Sequence, residues 1–177
     1  MRAIDKKLVA RALRITGEKR ARDAFFVEKT AAIVLYLKRN STRAMPTPIR
    51  IIVGDVAVDA ELFDTVCARK VVDALPVETR PQAWGDEFYF EIPVASALDE
   101  TATSRVAVGD IGYWPPGAAL ALFFGPTPLS RGPEPVPASE VNLIGRITSD
   151  PAALKKARGA PRIRIERVLG KGPVEHP

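Results

Sequence analysis

The chain has 177 residues, of which 46% are hydrophobic and 27% charged, a balance typical of a folded protein with one or two small domains. The only histidine, His176, lies in the C-terminal tail and the only cysteine is Cys67, which argues against a Ser-His-Asp triad, a zinc finger and an internal disulfide. We therefore predict neither a metal nor a cofactor, and the catalytic residues, if there are any, stay unknown.

The net charge of +5 is unevenly distributed. Residues 1–47 hold 12 basic and 4 acidic residues, a net charge of +8, whereas residues 48–177 hold 14 basic and 17 acidic residues, a net charge of −3. A basic head is thus joined to a slightly acidic body. An anionic partner is expected at the head rather than at the body.

No segment has the pattern of a secretory signal or of a membrane span. The N-terminus reaches Asp5 before an apolar stretch develops, and the longest apolar stretches, residues 31–37 and 117–124, fall short of the roughly 18–20 residues that cross a membrane. We expect a cytoplasmic protein with no membrane partner.

The head, residues 1–40, has the pattern of two helices. Apolar residues recur at three- and four-residue spacing up to Gly17, a residue type that ends helices, and a second helical pattern runs from about residue 20 to residue 39. The second helix has a wide apolar arc that includes Phe25, Phe26, Ile33 and Tyr36. That arc is expected to pack on the first helix, on the body or on another copy of the chain, so a homo-oligomer is one prediction.

The basic residues of the head have two interpretations. Residues 5–17, followed by a basic helix, resemble the opening of ribbon-helix-helix antitoxins, in which a short strand enters the major groove of DNA. Only residues 1–4 precede this helix, however, so a solvated basic face on a helical hairpin is the preferred interpretation. If nucleic acid is bound, the phosphate contacts are expected from Lys6, Lys7, Arg11, Arg14, Arg20 and Arg22.

Residues 41–47 are predicted to be a linker, residues 48–169 a folded body and residues 170–177 a flexible tail. Strand patterns in the body cover residues 49–53, 56–58, 86–92, 111–114, 119–124, 141–147 and 162–168. Helices are predicted over residues 61–74, ended by Pro76, and over residues 151–157, with Asp150 as the cap. Seven short strands with two helices are typical of a small β-barrel.

Prolines and aromatic residues crowd one part of the body. Seven of the sixteen prolines fall between Pro115 and Pro137. Because proline fixes φ and lacks an N–H donor, these loops are expected to present a preformed surface, which is where rigid scaffolds often carry function. The candidate ligand-binding residues are Trp84, Glu87, Tyr89, Tyr113, Trp114, Phe123, Phe124, Thr127, Ser139 and Asn142.

Each of these candidates also has a structural interpretation. The aromatic residues are typical of a small β-barrel core, and Ser139 and Asn142 can brace a loop by bonding its backbone. Glu87 faces solvent or a cleft if Phe88 and Phe90 point inward; with the opposite register it is a buried carboxyl with a raised pKa.

Four strings in the body resemble the small bacterial and archaeal cyclophilin-like proteins. They are WGDEFYF at residues 84–90, GDIGYWPPG at 109–117, FFGPTP at 123–128 and PASEVNLIGR at 137–146. The resemblance covers residues 48–169 and implies a closed β-barrel of the cyclophilin type. It implies much less about activity, because the family is generally described as of unestablished function and a fold does not dictate one.

Three functions follow from these patterns. The leading prediction is a binding module that takes a small molecule or a proline-containing peptide at the aromatic and proline-rich loops. The second is a prolyl isomerase; isomerase-active cyclophilins carry Phe-His-Arg and Gln-Gly-Gly-Asp strings, which are absent here, and the arginines available instead are Arg80, Arg105, Arg131 and Arg146. The third is a regulator whose head binds nucleic acid while the barrel binds an effector.

Overall fold

The computed structural model describes residues 45–168, which form ten strands, one α-helix and two 3-10 helices. The strands are β1 (Thr47–Val53), β2 (Val56–Leu62), β3 (Val77–Thr79), β4 (Gln82–Ala83), β5 (Glu87–Glu91), β6 (Ala102–Thr103), β7 (Asp110–Trp114), β8 (Ala119–Phe123), β9 (Val141–Ile147) and β10 (Ile163–Arg167). Helix α1 spans Val66–Ala74, and the 3-10 helices span Pro115–Gly117 and Pro151–Ala157. The prediction of a mainly β body is confirmed.

Several predictions concern residues outside the described part of the chain. They are the two helices of the head with their apolar arc, the six basic candidates for nucleic-acid contact, most of the linker at residues 41–47, and the tail at residues 170–177.

The strands form one antiparallel sheet in the order β3-β10-β1-β2-β9-β7-β8-β5-β4, with β6 paired to β9 beside this path. The sheet is a curled half-barrel, so the prediction of a closed barrel is wrong. Within residues 45–168, the two end strands β3 and β4 are not paired with each other.

The chain itself shows why the sheet curls without closing. Strands β3 and β4 lie at opposite ends of the sheet, yet only Arg80 and Pro81 separate them along the chain. Three Cα–Cα steps bring the two ends to within about 11 Å of each other. A ladder across the gap would need strands about 4.8 Å apart, and Pro81, which lacks an N–H, cannot donate to it. End strands of three and two residues also offer few groups to pair.

The main hydrophobic core lies on one face of the sheet, against which α1 packs. Alternating strand residues such as Ile51, Leu122 and Ile144 are fully buried there. Phe88 packs against Phe124, with ring centroids 4.8 Å apart at an interplanar angle of 50°.

Helix α1 begins later than predicted. The predicted helix started at Glu61, but β2 runs on to Leu62 because the alternation of buried residues continues to that position. The helix is then started by Thr65, whose Oγ1 accepts a hydrogen bond from the N–H of Ala68 at 3.0 Å. Its end at Ala74, ahead of Pro76, agrees with the prediction.

The predicted cap at Asp150 is confirmed. Its Oδ1 accepts from the N–H of Ala152 at 2.9 Å and Pro151 occupies the first turn, although the helix that follows is of the 3-10 type. Strands β3, β4 and β6 were not predicted, because two or three residues are too few to show an alternation. None of the helices between residues 45 and 168 is long and apolar enough to cross a membrane.

Candidate functional site

The sheet is buried on both faces where β5, β8 and β7 run side by side. On one face Phe88 and Leu122 belong to the main core, and we call the opposite face the second face. On this face Glu87 of β5 pairs with Phe123 of β8, and the next pair on the same face joins Tyr89 to Ala121. A second buried cluster of Val106, Ala121, Phe123 and Val141, with Trp114 packed against it, lies on this face.

A cavity of about 350 Å³ opens on the second face. Its lining residues are Trp84, Glu87, Tyr89, Trp114, Ala121, Phe123, Pro137, Ala138 and Val141. Space exists there because the sheet presents small residues between larger ones. Gly112 and Ala121 are cross-strand partners, and a Cβ added at Gly112 would lie only 2.9 Å from Cγ2 of Val141.

Trp84 is placed beside Glu87 by a tight turn between β4 and β5. The N–H of Trp84 donates to the carbonyl of Glu87 at 2.9 Å, and Gly85 between them has a φ of +66°. A Cβ at Gly85 would also lie 2.7 Å from the carbonyl oxygen of Pro126. Both the backbone conformation and this close approach therefore require glycine.

Trp114 is fixed at both ends of its indole ring. Its Nε1 donates to Oγ of Ser139 at 2.8 Å. The other side of the ring lies against Gly117, where an added Cβ would be 2.5 Å from Cζ3 of the indole. The Trp-Pro-Pro-Gly turn thus holds the ring as one wall of the cavity.

The loop between β8 and β9 supplies another wall through Pro137 and Ala138. Thr127 ties this loop to itself: its Oγ1 donates to the carbonyl of Val136 at 2.6 Å, and its N–H donates to Oγ of Ser130 at 2.9 Å. The hydroxyl of Ser130 in turn donates to the carbonyl of Glu134 at 2.7 Å. These bonds hold the loop in one conformation over the second face.

Glu87 combines the two outcomes that the sequence left open. Phe88 and Phe90 point into the core, so Glu87 faces a cleft, yet its side chain is also buried, with only 7% of the residue exposed. Its Oε2 has no hydrogen-bond partner among the described residues. Burial raises the pKa of this carboxyl from 4.5 to about 7.

The cations near this end of the sheet pair with Asp86, the residue before Glu87. Lys155 places its Nζ 3.2 Å from Oδ2 of Asp86, and Arg158 donates to Oδ1 of the same carboxylate. The cavity lining contains no lysine, arginine or histidine. Within residues 45–168, no cluster of three or more His, Cys, Asp or Glu side chains could hold a metal ion.

Five of the ten predicted ligand-binding residues line the cavity: Trp84, Glu87, Tyr89, Trp114 and Phe123. Ser139 touches the site through its bond to Trp114. The other four, Tyr113, Phe124, Thr127 and Asn142, do not line it.

Those four residues make structural contacts. Phe124 packs in the main core, and Thr127 ties the loop as described above. The hydroxyl of Tyr113 donates to the carbonyl of Val94 at 2.7 Å. The side chain of Asn142 accepts from the N–H of Asp99 at 2.9 Å and donates to the carbonyl of Ala97 at 2.8 Å.

Four lining residues were not predicted: Ala121, Pro137, Ala138 and Val141. A signal for one of them was present, because the β8 sequence ALALF alternates small with large residues. Such a strand leaves room on its small-residue face. Proximity of Pro137 and Ala138 to β5 has no local signal, since it depends on how the loop folds back.

The arginines considered for isomerase chemistry lie elsewhere. Arg80, Arg105, Arg131 and Arg146 are all exposed, and none of them lines the cavity. The cavity therefore lacks the group on which the isomerase prediction depended.

Comparison with protein families matches residues 47–166 to the family described as Cyclophilin-like. Among solved structures, the solution structure of the hypothetical protein AF2241 from Archaeoglobus fulgidus is similar. The two chains are 36% identical, the match covers 72% of this chain and 98% of the archaeal one, and the TM-score is 0.62. Comparison with curated proteins gave no match.

Proposed function

The chain belongs to the cyclophilin-like family, and from that premise we propose that its body is a binding module whose second-face cavity takes a small, mostly apolar molecule. The observation that carries the proposal is the cavity itself. Its volume of about 350 Å³ lies within the range of small-molecule sites, roughly 300–1,000 Å³. Such sites are mainly apolar and contain a few polar groups that orient the ligand.

The construction of the cavity also supports binding. Its floor is paired β-sheet, Trp114 is held by Ser139 and Gly117, and Pro137 belongs to a loop that is tied by Thr127. A preformed site loses little conformational entropy when a ligand enters it. Binding therefore does not require the walls of the cavity to become ordered.

A short extended peptide is the second candidate ligand. Strand β4 pairs with β5 on one side, and within residues 45–168 its other side is unpaired. A peptide added along this edge would lie next to Trp84, which directly follows β4 and lines the cavity. A proline ring is among the apolar groups that the cavity would then accept.

The chain offers two direct reporters of binding, because its only tryptophans are Trp84 and Trp114. We expect apolar fragments to shift the indole N–H signals of both residues in NMR spectra. Replacing Ala121 by Leu fills the cavity and should weaken each such fragment about tenfold or more. Ala57→Leu, on an exposed position of β2, is the matched control and should leave the affinities unchanged.

Binding that survives Ala121→Leu unaltered would show that the fragments occupy another surface. Because overpacking could unfold the variant, the wild-type protein supplies a second measurement. Intermolecular NOEs from a bound fragment to the Trp114 ring are expected, and their absence for every bound fragment would contradict the assignment.

A further inference from the structure

The cavity contains one acidic side chain whose charge nothing in the described structure balances. Glu87 is more than nine-tenths buried, lines the cavity, and has an oxygen without a hydrogen-bond partner within residues 45–168. Buried polar groups are nearly always paired, so an unpaired one in a cavity wall needs an explanation. A ligand group that donates to this carboxylate would provide it.

The elements around Glu87 bring no cation to it. On β8 its neighbours are Ala121 and Phe123, and on β7 the carboxylate of Asp110 accepts from the N–H of Ala107.

The remaining charged and polar groups near the site are also directed elsewhere. Lys155 and Arg158 pair with Asp86, and the Tyr89 hydroxyl donates to Gln82 at 2.9 Å. On the same face of β5, Glu91 is exposed. The charged side chains of the covering loop, Arg131, Glu134 and Glu140, are exposed and do not line the cavity.

The other walls are suited to a cation as well as to an apolar group. Four aromatic side chains line the cavity: Trp84, Tyr89, Trp114 and Phe123. The faces of such rings attract organic cations, most strongly where water is excluded. A hard metal ion is a poorer fit, because it requires six or more oxygen ligands and only one carboxylate is present.

We propose that the ligand of this cavity carries an organic ammonium group, which pairs with Glu87 while the apolar remainder of the molecule lies against the four aromatic side chains. This inference rests on the proposed binding function and names its ligand class. Binding should depend on pH, because only the ionised carboxylate supplies the counter-charge. Burial raises the pKa of Glu87 to about 7, so affinity for an ammonium ligand is expected to increase as the pH rises through that value.

Two probes of nearly equal shape test the inference on the full-length chain. 2-Phenylethylamine is an ammonium ion at neutral pH, and 2-phenylethanol has the same ring and chain without a charge. We expect the wild type to prefer the amine, with an affinity for it that increases about tenfold between about pH 6 and about pH 8. Affinity for the alcohol should stay constant over that range.

Glu87→Gln should abolish the preference for the amine and its pH dependence. Glu91→Gln, which removes an exposed carboxylate from the same face of the same strand, should retain both. An unfolded Glu87→Gln protein would leave the pH series of the wild type as the deciding measurement.

The outcomes separate the two proposals. Equal affinity for both probes at every pH would overturn the ammonium assignment and leave the cavity as a binding site for apolar molecules. If neither probe moves the indole signals of Trp84 and Trp114 while apolar fragments do, the ammonium assignment again fails alone. Failure of both probes and of all fragments would overturn the binding function as well.

Discussion

At the scale of single residues, Glu87 shows how a surface position becomes an interior one. Strand alternation assigns it to the face opposite the core, and the structure agrees. Its burial comes from a second layer, formed by the loop between β8 and β9 and by Trp84 and Trp114. The carboxyl therefore loses its hydration without gaining a partner within the described chain.

The first prediction concerns the effect of this carboxyl on stability. The pKa of Glu87 is raised from 4.5 to about 7. Between these values the folded chain keeps a proton on Glu87 that the unfolded chain has released. The contribution of Glu87 to the free energy of unfolding is therefore full below about pH 4.5 and is lost as the pH rises through about 7. The difference in free energy of unfolding between Glu87→Gln and the wild type should accordingly grow in favour of the variant by about 1–3 kcal/mol from about pH 5 to about pH 8.

Urea unfolding of both proteins across this range measures that difference. Glu91→Gln is the control, and its stability curve should run parallel to that of the wild type, because Glu91 is exposed. Parallel curves for Glu87→Gln and the wild type would mean that the buried carboxyl titrates normally.

The second prediction concerns Gly117. An alanine methyl there would lie 2.5 Å from Cζ3 of Trp114, so the indole must move and release Ser139. Gly117→Ala should therefore shift the Trp114 fluorescence and weaken fragment binding about tenfold, at a cost of about 1 kcal/mol in free energy of unfolding.

Gly132→Ala is the matched control, since nothing lies within 4 Å of the added methyl. It should change neither the fluorescence nor the binding. Unaltered binding in Gly117→Ala would show that Trp114 is not a wall the ligand uses.

At the scale of elements, the loop between β8 and β9 is what turns a sheet surface into a cavity. Its conformation rests on side-chain bonds to its own backbone, with the Oγ1 of Thr127 donating to the carbonyl of Val136 at 2.6 Å. Prolines reduce the number of alternative conformations that this loop can adopt. The element is therefore expected to act as a fixed wall rather than as a lid.

The third prediction tests this role of the loop. Thr127→Val keeps the shape of the side chain but removes the donor, so it should lower the free energy of unfolding by about 1–2 kcal/mol. Amide exchange in residues 125–140 should accelerate and fragment binding should weaken. Thr148→Val, at an exposed position whose side chain makes no hydrogen bond among the described residues, should do neither; equal exchange rates in the two variants would contradict the proposed tie.

At the scale of the whole molecule, charge separates two parts of the chain. We propose residues 1–40 as a basic extension and residues 48–169 as the binding body, with net charges of +8 for residues 1–47 and −3 for residues 48–177. Many of the body's cations lie in ion pairs, such as Arg50 with Asp59 and Arg69 with Asp64. The excess of positive charge therefore lies in residues 1–47 of the sequence.

The fourth prediction follows from this separation. The full chain should be retained on heparin and on immobilised duplex DNA at low salt and should elute as salt is raised. Replacing Lys6, Lys7, Arg11, Arg14, Arg20 and Arg22 by Gln should abolish the retention. Replacing Arg50 and Arg69 by Gln, as a control in the body, should change it little, and retention that follows the body variants would contradict the assignment.

The sequence by itself determined the elements with local causes. Alternation of apolar residues predicted most of the longer strands, Asp150 predicted the start of a short helix, which the structure shows to be of the 3-10 type, and Pro76 predicted the end of α1. The four strings in the body also pointed to the family. Half of the predicted ligand-binding residues line the cavity: four aromatic residues, and Glu87, which strand alternation places on the same face of β5 as Tyr89.

Only the tertiary structure decided the rest, because it depends on residues that are distant along the chain. The sheet curls because Arg80 and Pro81 join the strands at its two ends, β3 and β4, and it stays open because those strands are too short to offer many groups to pair. Pro137 becomes a wall of the cavity because its loop folds back over β5. The raised pKa of Glu87 follows from that covering layer, because the cause of the shift is burial, which no neighbour along the strand reveals.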